Sequence, residues 1–287
     1  TVPRRAVRPL AGAALFTLLC LIPAAVQDAY VMHVINVIGL YLVLVSGLTL
    51  LVGFTGQFSL GQVGFAGAGA YTAVALTMGA RISFWPALLA AGLVGAAFAL
   101  VIGSVLKFRG HVLAMATLAF AEISQQIALN WTGVTGGPMG IPGVPPPTLG
   151  GFAFHTNHRF YFLVLTTVFL NFFVLVRTID SRIGRAMKAL RDDPEAASAT
   201  GINVARYKIT AFAITGFFAG ISGALSAHLD LYVSPDVFNL SESVKILTMV
   251  VVGGAGSFAG SILGAITLQA TNEFLHQFQQ YSIAIYG

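Results

Sequence analysis

Charged residues are scarce in this sequence. Asp, Glu, Lys and Arg make up 9% of its 287 residues, whereas 56% are hydrophobic; soluble domains carry about a quarter charged residues. A water-facing surface cannot be built from this composition. Because apolar runs of about 20 residues recur along the whole chain, the sequence predicts an all-α, polytopic bundle of transmembrane helices in a single domain over residues 1–287.

Cysteine and the common catalytic motifs are also missing. Cys20 is the only cysteine, so neither disulfides nor a cysteine metal site can hold the fold. The sequence has no P-loop, no G-x-S-x-G elbow and no H-E-x-x-H pair, so it predicts no catalytic residue, and any ATP must be bound by a partner. His155 and His158 have a metal-like spacing, but a solvated pair in a loop is the more frequent explanation.

The apolar runs indicate how often the chain crosses the bilayer. They predict nine spans, near residues 9–27, 31–53, 58–79, 84–106, 111–130, 159–177, 206–229, 243–256 and 258–276. The basic N-terminus and the first run also resemble a signal peptide. We prefer a retained first span, because it keeps the charge pattern of the whole chain consistent.

Basic residues indicate the orientation. They exceed acidic residues by 15 to 10 without forming a long tract, which argues against nucleic-acid binding. With a cytoplasmic N-terminus and alternating spans, twelve of the fifteen lie inside, and only Arg81, Arg159 and Lys245 lie outside. This asymmetry follows the positive-inside rule. It predicts a multi-pass membrane protein whose N-terminus lies in the cytoplasm.

Two longer polar stretches interrupt the spans. Residues 131–158 are rich in Gly and Pro, cannot continue a helix, and are expected to form an external loop. Residues 178–205 are charged, contain helix-forming residues, and are expected in the cytoplasm. The second stretch is therefore the candidate for binding a cytoplasmic partner.

A short helix is predicted within this cytoplasmic stretch. Asp193 is placed to cap it, Pro194 suits its first turn, Glu195 complements its dipole, and Gly201 ends it. Glu195, Ala196 and Ala197, followed after three residues by Gly201, resemble the EAA loop through which membrane subunits of ABC importers dock their ATPases. By itself this pattern is weak, since any cytoplasmic loop can contain a capped helix.

The resemblance extends over most of the chain. The segments 47–61, 117–123, 135–140, 201–227, 234–236 and 253–257, taken in order, resemble the LivM-type permeases of branched-chain amino acid ABC importers. The chain differs at Gln62, where many relatives have His, and at Lys245, a position that varies among relatives. It also stops where the family usually continues into one more span, which implies ten spans in the full chain.

The resemblance implies a function and a set of partners. The chain would form the translocation path for branched-chain or related amino acids, beside a second, LivH-like permease in a heterodimer. Two cytoplasmic ABC ATPases would bind the ATP, a periplasmic solute-binding protein would deliver the substrate, and the chain itself would need no cofactor. Asp193, Glu195, Ala196, Ala197 and Gly201 would form the ATPase-coupling site.

Four polar residues at membrane depth are candidates for the path. Gln57, Ser59 and Gln62 lie among early glycines, and transporters place broken helices and substrate paths at such segments. Glu122 lies within the 111–130 span, where a carboxylate is costly unless it is paired, neutral or wetted. It either lines the path or forms a packing hydrogen bond. For the late glycines, close helix packing is the better single explanation.

Two other classes of function remain open. A self-sufficient secondary transporter or channel for a small polar solute would also suit the Gly-rich segments, but it leaves the EAA-like loop unexplained. A membrane-embedded enzyme would use Glu122 as acid or base, but the sequence offers no second catalytic group at the same depth.

Overall fold

The computed structural model describes the backbone of residues 16–104 and 111–286 and the side chains of residues 16–103 and 112–274. Its longer helices are α2 (Ala29–Thr49), α3 (Gln62–Val74), α4 (Phe84–Ser104), α5 (His111–Asn130), α7 (Asn157–Asp180), α10 (Val204–Leu229), α11 (Leu240–Gly253) and α12 (Phe258–Tyr286). Shorter helices are α1 (Ile22–Ala25), α6 (Thr132–Thr135), α8 (Arg182–Asp192) and α9 (Pro194–Ala199). π-helical turns extend α2 through Leu50–Phe54 and α3 through Ala75–Gly79.

The all-α, polytopic prediction is confirmed. Within the described residues, five helical segments are long and apolar enough to cross a bilayer: Ala29–Phe54, Phe84–Gly103, Val112–Asn130, Asn157–Asp180 and Val204–Leu229. Each coincides with a predicted span to within a few residues. Of the first predicted span, residues 9–15 lie outside the described residues.

Two predicted spans differ from the helices observed. The run predicted at 58–79 becomes helical only at Gln62, because residues 56–61 form a non-helical connection after the π-helical turn. The run predicted at 243–256 is the 14-residue helix α11, which at 1.5 Å per residue is only about 21 Å long. α11 is therefore shorter than a full crossing, whereas α3 and its π-helical turn cover 13 and 5 residues.

Side-chain caps set where several helices begin. Asn203 Oδ1 accepts from Arg206 N at the start of α10, and Asn239 Oδ1 accepts from Glu242 N at the start of α11, each at 3.0 Å. Such caps satisfy backbone N–H groups that have no partner within the helix. The polar residues between the apolar runs thus define the helix boundaries.

The helix ends lie at two opposite faces of the bundle. α7 is 24 residues long, or about 36 Å, so its two ends mark the two faces. At its beginning, Asn157 Nδ2 donates to Ala29 O at the start of α2, at 2.9 Å. Near its end, α8 reaches the end of α2, where Arg191 donates to Gly53 O. We call the first the loop face, which carries residues 131–156, and the second the α8–α9 face.

Small residues bring the central helices into close contact. A Cβ atom on Gly220 of α10 would overlap Ala91 O of α4, and a Cβ on Gly223 would overlap Ala66 O of α3. Helices in lipid associate through such small-residue contacts, because no hydrophobic effect drives them together. α10 therefore forms the centre of the bundle, with α3 and α4 packed on it.

The late glycines also serve packing, as predicted. A Cβ atom on Gly264 of α12 would overlap Met249 O of α11, and one on Gly260 would overlap Gly253 O. Gly256 differs, because no atom lies within 4 Å of its Cβ position. α11 and α12 thus form a tight antiparallel hairpin with Gly256 in its turn.

The chain between α10 and α11 re-enters the bundle from the loop face. Antiparallel pairing of β1 (Ile141–Pro142) with β4 (Tyr232–Val233) holds this segment at its outer end. A second pair, β2 (Thr148–Leu149) with β3 (Phe152–Ala153), lies in the loop itself. Further along, Phe238 lies 3.1 Å from the Cβ position of Gly67 in α3.

As a result, α11 begins inside the bundle. Tyr41 lies twelve residues, about 18 Å, from the start of the Ala29–Phe54 span, and its hydroxyl bonds to Glu242 in the first turn of α11. Lys245 also contacts Tyr41. The external side of the membrane that the sequence assigned to Lys245 stays a prediction; the re-entrant segment places Lys245 beside the middle of the Ala29–Phe54 span.

Candidate translocation path and coupling surface

The predicted helix of the EAA-like loop is present as α9. Asp193 Oδ1 accepts from the backbone N of Glu195 at 2.8 Å and of Ala196 at 3.1 Å, and Pro194 occupies the first turn. The chain leaves the helix through Gly201, whose φ of +84° is left-handed. The local structure is as predicted, because capping and termination depend on neighbouring residues only.

α9 projects from the bundle. Ala197 is its buried residue, at 4% exposure, whereas Glu195, Ala196, Ser198 and Ala199 are exposed. No atom lies within 4 Å of the Cβ position of Gly201. A short helix with a surface of small residues can enter a groove on another protein.

α8 connects this projection to the bundle. It is amphipathic: Ala186, Met187 and Leu190 are buried, and Arg182, Arg185 and Lys188 are exposed. The apolar side of α8 packs on the bundle.

Arg191, the penultimate residue of α8, joins it to the end of α2. Its Nη1 donates to Gly53 O at 2.5 Å, a carbonyl in the π-helical turn that ends the span. Arg191 Cα lies 3.5 Å from the Cβ position of Gly56, which has a φ of +67°. Nearby, Lys188 Nζ lies 5.8 Å from the Phe54 ring centroid. A displacement of α8 would therefore act directly on the end of α2 and on Thr55–Gly61.

Gln57 lies in this contact region. It borders a small cavity of about 110 Å³ whose other lining residues are Thr55, Gly56, Leu113, Leu190, Arg191, Pro194 and Lys208. Its Nε2 donates to Thr55 Oγ1 at 3.0 Å. Gln57 thus lies beside the α8–α9 projection, close to the face of the bundle.

Ser59 and Gln62 lie further along the same connection. Ser59 Oγ accepts from Gly61 N at 3.2 Å, and Leu60 N donates to Thr117 Oγ1 of α5 at 2.9 Å. Gln62 is 1% exposed, and neither of its amide atoms has a hydrogen-bond partner among the described residues. An unpaired buried amide costs about 1–3 kcal/mol, which favours a functional reason for keeping Gln62 there.

Glu122 does not join these three residues. It is half-buried on α5, next to Phe120 and Ala121, which contact Gly64 of α3. It is not among the residues that line the larger cavity described next. The four predicted path residues thus divide into a set of three on the connection and Glu122 beside the α3–α5 contact.

A cavity of about 370 Å³ lies between α3, α4, α5 and the re-entrant segment. Most of its lining is apolar or aromatic, and its polar groups come from Tyr71, Thr72, Ser124, Gln125 and Thr135. The remaining lining residues are Gly64, Gly67, Ala68, Ala75, Leu76, Val94, Phe98, Ile127, Ala128, Trp131, Val134, Pro235 and Phe238. This size and this mixture are typical of sites for small organic molecules.

The sequence predictions missed most of this cavity. Tyr71 could have been found, because it is a large polar residue among the glycines and alanines of α3. Pro235 and Phe238 could not, since no local pattern shows that their segment turns back into the bundle. The early glycines Gly64 and Gly67 also border the cavity.

Sequence comparison places the chain among known proteins. The family model for "Branched-chain amino acid transport system / permease component" matches residues 30–287. The chain belongs to this family. No solved structure matches this permease-family chain.

Curated members of the family are similar over most of the chain. The high-affinity branched-chain amino acid transport system permease proteins LivM of Salmonella typhimurium and of Escherichia coli K12 are each 38% identical over 272 residues, which cover 86% of this chain. The chain spans 64% of the length of these relatives. The permease protein LivH of Escherichia coli K12 is 33% identical over 88 residues, 31% of this chain and 28% of LivH.

Proposed function

We propose that this chain is the permease subunit of an ATP-driven importer in the bacterial inner membrane. The observation that carries the proposal is the exposed, capped helix α9, joined through α8 and Arg191 to the end of a membrane span. This arrangement gives a cytoplasmic ATPase a binding surface. A movement of the ATPase would be transmitted to the bundle through the contact of α8 with the end of α2. Membership of a permease family supports it.

The proposed substrate is a branched-chain or related amino acid. Support comes from the LivM relatives, which are permeases of branched-chain amino acid transport systems, and from a largely apolar cavity of about 370 Å³. Gln57, Ser59 and Gln62 would line the inner part of the path, and the cavity would receive the apolar side chain. The chain catalyses no covalent reaction in this proposal.

The proposed partners follow from the same relatives and from the surface chemistry. A second, LivH-like permease would complete the path, two ABC ATPases would bind ATP and grip α9, and a periplasmic binding protein would deliver the solute to the loop face. The N-terminus would then lie in the cytoplasm. The basic residues between Arg177 and Lys208 on the α8–α9 face favour this orientation.

The test is uptake by the reconstituted complex. The chain is co-purified with the proposed permease and ATPases, placed in proteoliposomes, and supplied with loaded binding protein and labelled leucine. We expect uptake that requires ATP and is insensitive to a protonophore. Uptake that continues without ATP and stops with the protonophore would instead indicate the secondary transporter.

A variant at the α8 link makes the test specific. Arg191→Met removes the charge that binds Gly53 O and keeps most of the side-chain length. We expect the complex to assemble with its ATPases while uptake per ATP hydrolysed falls about ten-fold, since a charge-assisted hydrogen bond is lost. Arg185→Met, on the exposed side of α8, is the matched control and should keep normal coupling.

A further inference from the structure

A mixed-charge cluster lies where α11 meets α2. Tyr41 OH donates to Glu242 Oε2 at 2.5 Å, and Lys245 Nζ donates to Tyr41 OH at 3.1 Å. Lys245 Nζ also lies 3.5 Å from Glu242 Oε2 and 4.6 Å from the Tyr41 ring centroid. The three residues thus place an anion, a cation and a hydroxyl within one small volume.

The depth of this cluster is unusual for charged side chains. Tyr41 is in the middle of the 26-residue span Ala29–Phe54, about 18 Å from its first residue. Ionisable groups at that depth are costly and generally mark solute or ion pathways. The cluster also lies at the start of a shortened helix, and transporters place substrate sites at the ends of such discontinuous helices near the middle of the bilayer.

Stability alone does not explain the pair. A buried ion pair is commonly no more stabilising than well-packed apolar residues of the same volume. The side chains of Lys245 and Glu242 also keep 24% and 28% of their surface exposed, so neither side chain is fully enclosed by the chain. A packing role would favour full enclosure.

We propose that Tyr41, Glu242 and Lys245 form the membrane-depth binding site for a zwitterionic amino acid. The carboxylate of Glu242 would receive the solute's ammonium group, and Lys245 Nζ and Tyr41 OH would receive its carboxylate. The proposal deepens the proposed function and rests on it.

The chemistry of the cluster matches that of the solute. An amino acid carries opposite charges a few ångströms apart, as Glu242 and Lys245 do. On binding, the ion pair between Glu242 and Lys245 would be replaced by two ion pairs with the solute, and no net charge would be added to the membrane. Tyr41 and Tyr71 pack against the same hydrophobic core cluster, which includes Phe238 and Ile246. That cluster offers the solute's side chain an apolar surface next to the charged groups.

The double variant Glu242→Gln with Lys245→Met separates a binding site from a structural pair. Glu242→Gln keeps the side-chain length, Lys245→Met shortens it by one atom, and both remove charge, so the bundle is expected to be about as stable as before. In the reconstituted complex we expect normal co-purification and normal ATPase stimulation by loaded binding protein. Labelled leucine uptake should fall about ten-fold or more, because hydrogen bonds to charged groups are lost.

Two further variants complete the test. Tyr41→Phe removes one hydroxyl and should also lower leucine uptake without affecting assembly. Thr248→Val is the matched control, since Thr248 is exposed one turn further along α11 and donates to Val244 O in the same helix; its uptake should be unchanged.

The outcomes are distinct. Wild-type uptake by the double variant would overturn the proposal. So would a double variant that fails to assemble, combined with full uptake by Tyr41→Phe, because the cluster would then be structural. Failure of the wild-type complex to show ATP-driven uptake would refute the proposed function itself. Wild-type uptake is therefore measured before any variant is compared.

Discussion

At the scale of single residues, Glu122 shows how position within a helix decides a role. Glu122 lies within the candidate span Val112–Asn130. Ser124 and Gln125 on the same helix line the 370 Å³ cavity, but Glu122 does not. It lies instead next to Ala121 at the contact with Gly64 of α3. Of the two roles that the sequence left open, this placement favours packing.

Glu122 can be tested by charge and by hydrogen bonding separately. We expect Glu122→Gln to keep leucine uptake within about two-fold of wild type, because an amide can still bond to neighbouring helices. Glu122→Leu should lower the yield of assembled complex. Uptake assays and size-exclusion profiles measure the two effects. Impaired uptake with normal assembly in the Gln variant would indicate instead that Glu122 lines the translocation path.

At the scale of elements, α9 combines a locally determined structure with an open surface. Its cap at Asp193 and its end at Gly201 bring it to a stop after six residues. Its one buried residue, Ala197, holds it against the bundle. Glu195, Ala196, Ser198 and Ala199 are exposed, and Arg191 at the end of the preceding helix bonds to Gly53.

Gly201→Asp tests this element. The left-handed backbone adds a penalty of about 1 kcal/mol for a residue with a Cβ, and a negative charge is unfavourable at the C-terminal end of a helix. We expect normal membrane insertion and normal pairing with the second permease, but loss of ATPase retention on purification. Pull-down with the tagged permease measures how much ATPase is retained.

Gly256→Asp is the control for this change. Gly256 lies in the turn before α12, at the same face, and also has open space around its Cβ position. It should retain the ATPases. If Gly201→Asp transports as well as wild type and keeps its ATPases, α9 is not the coupling element.

At the scale of the whole molecule, the two faces differ in charge. Seven basic residues lie between Arg177 and Lys208 at the α8–α9 face. On the loop face, Arg81 and Arg159 lie near the beginnings of α4 and α7. Cytoplasmic loops carry the excess of Lys and Arg in most membrane proteins, so the α8–α9 face is expected inside the cell.

Cysteine labelling decides the orientation. In a Cys20→Ser background, which removes the only native thiol, single cysteines are introduced at positions 148 and 195. An impermeant maleimide added to intact spheroplasts should label position 148 and spare position 195 until the membrane is permeabilised. Labelling of 195 with protection of 148 would reverse the proposed topology.

The sequence by itself determined the class of the protein and its local features. The scarcity of charged residues indicated a membrane protein, and the apolar runs located most spans. The order Asp193, Pro194, Glu195 to Gly201 predicted α9, because a helix cap needs only residues within one turn. Family motifs could be recognised for the same reason: they are contiguous.

Only the tertiary structure decided which distant groups meet. Arg191 bonds to Gly53, 138 residues away, and Glu242 bonds to Tyr41, 201 residues away. No local pattern shows that residues 230–239 turn back into the bundle and lower α11 to the middle of a span. That path depends on how closely helices approach through their small-residue faces, which is a property of the packed bundle and not of any one segment.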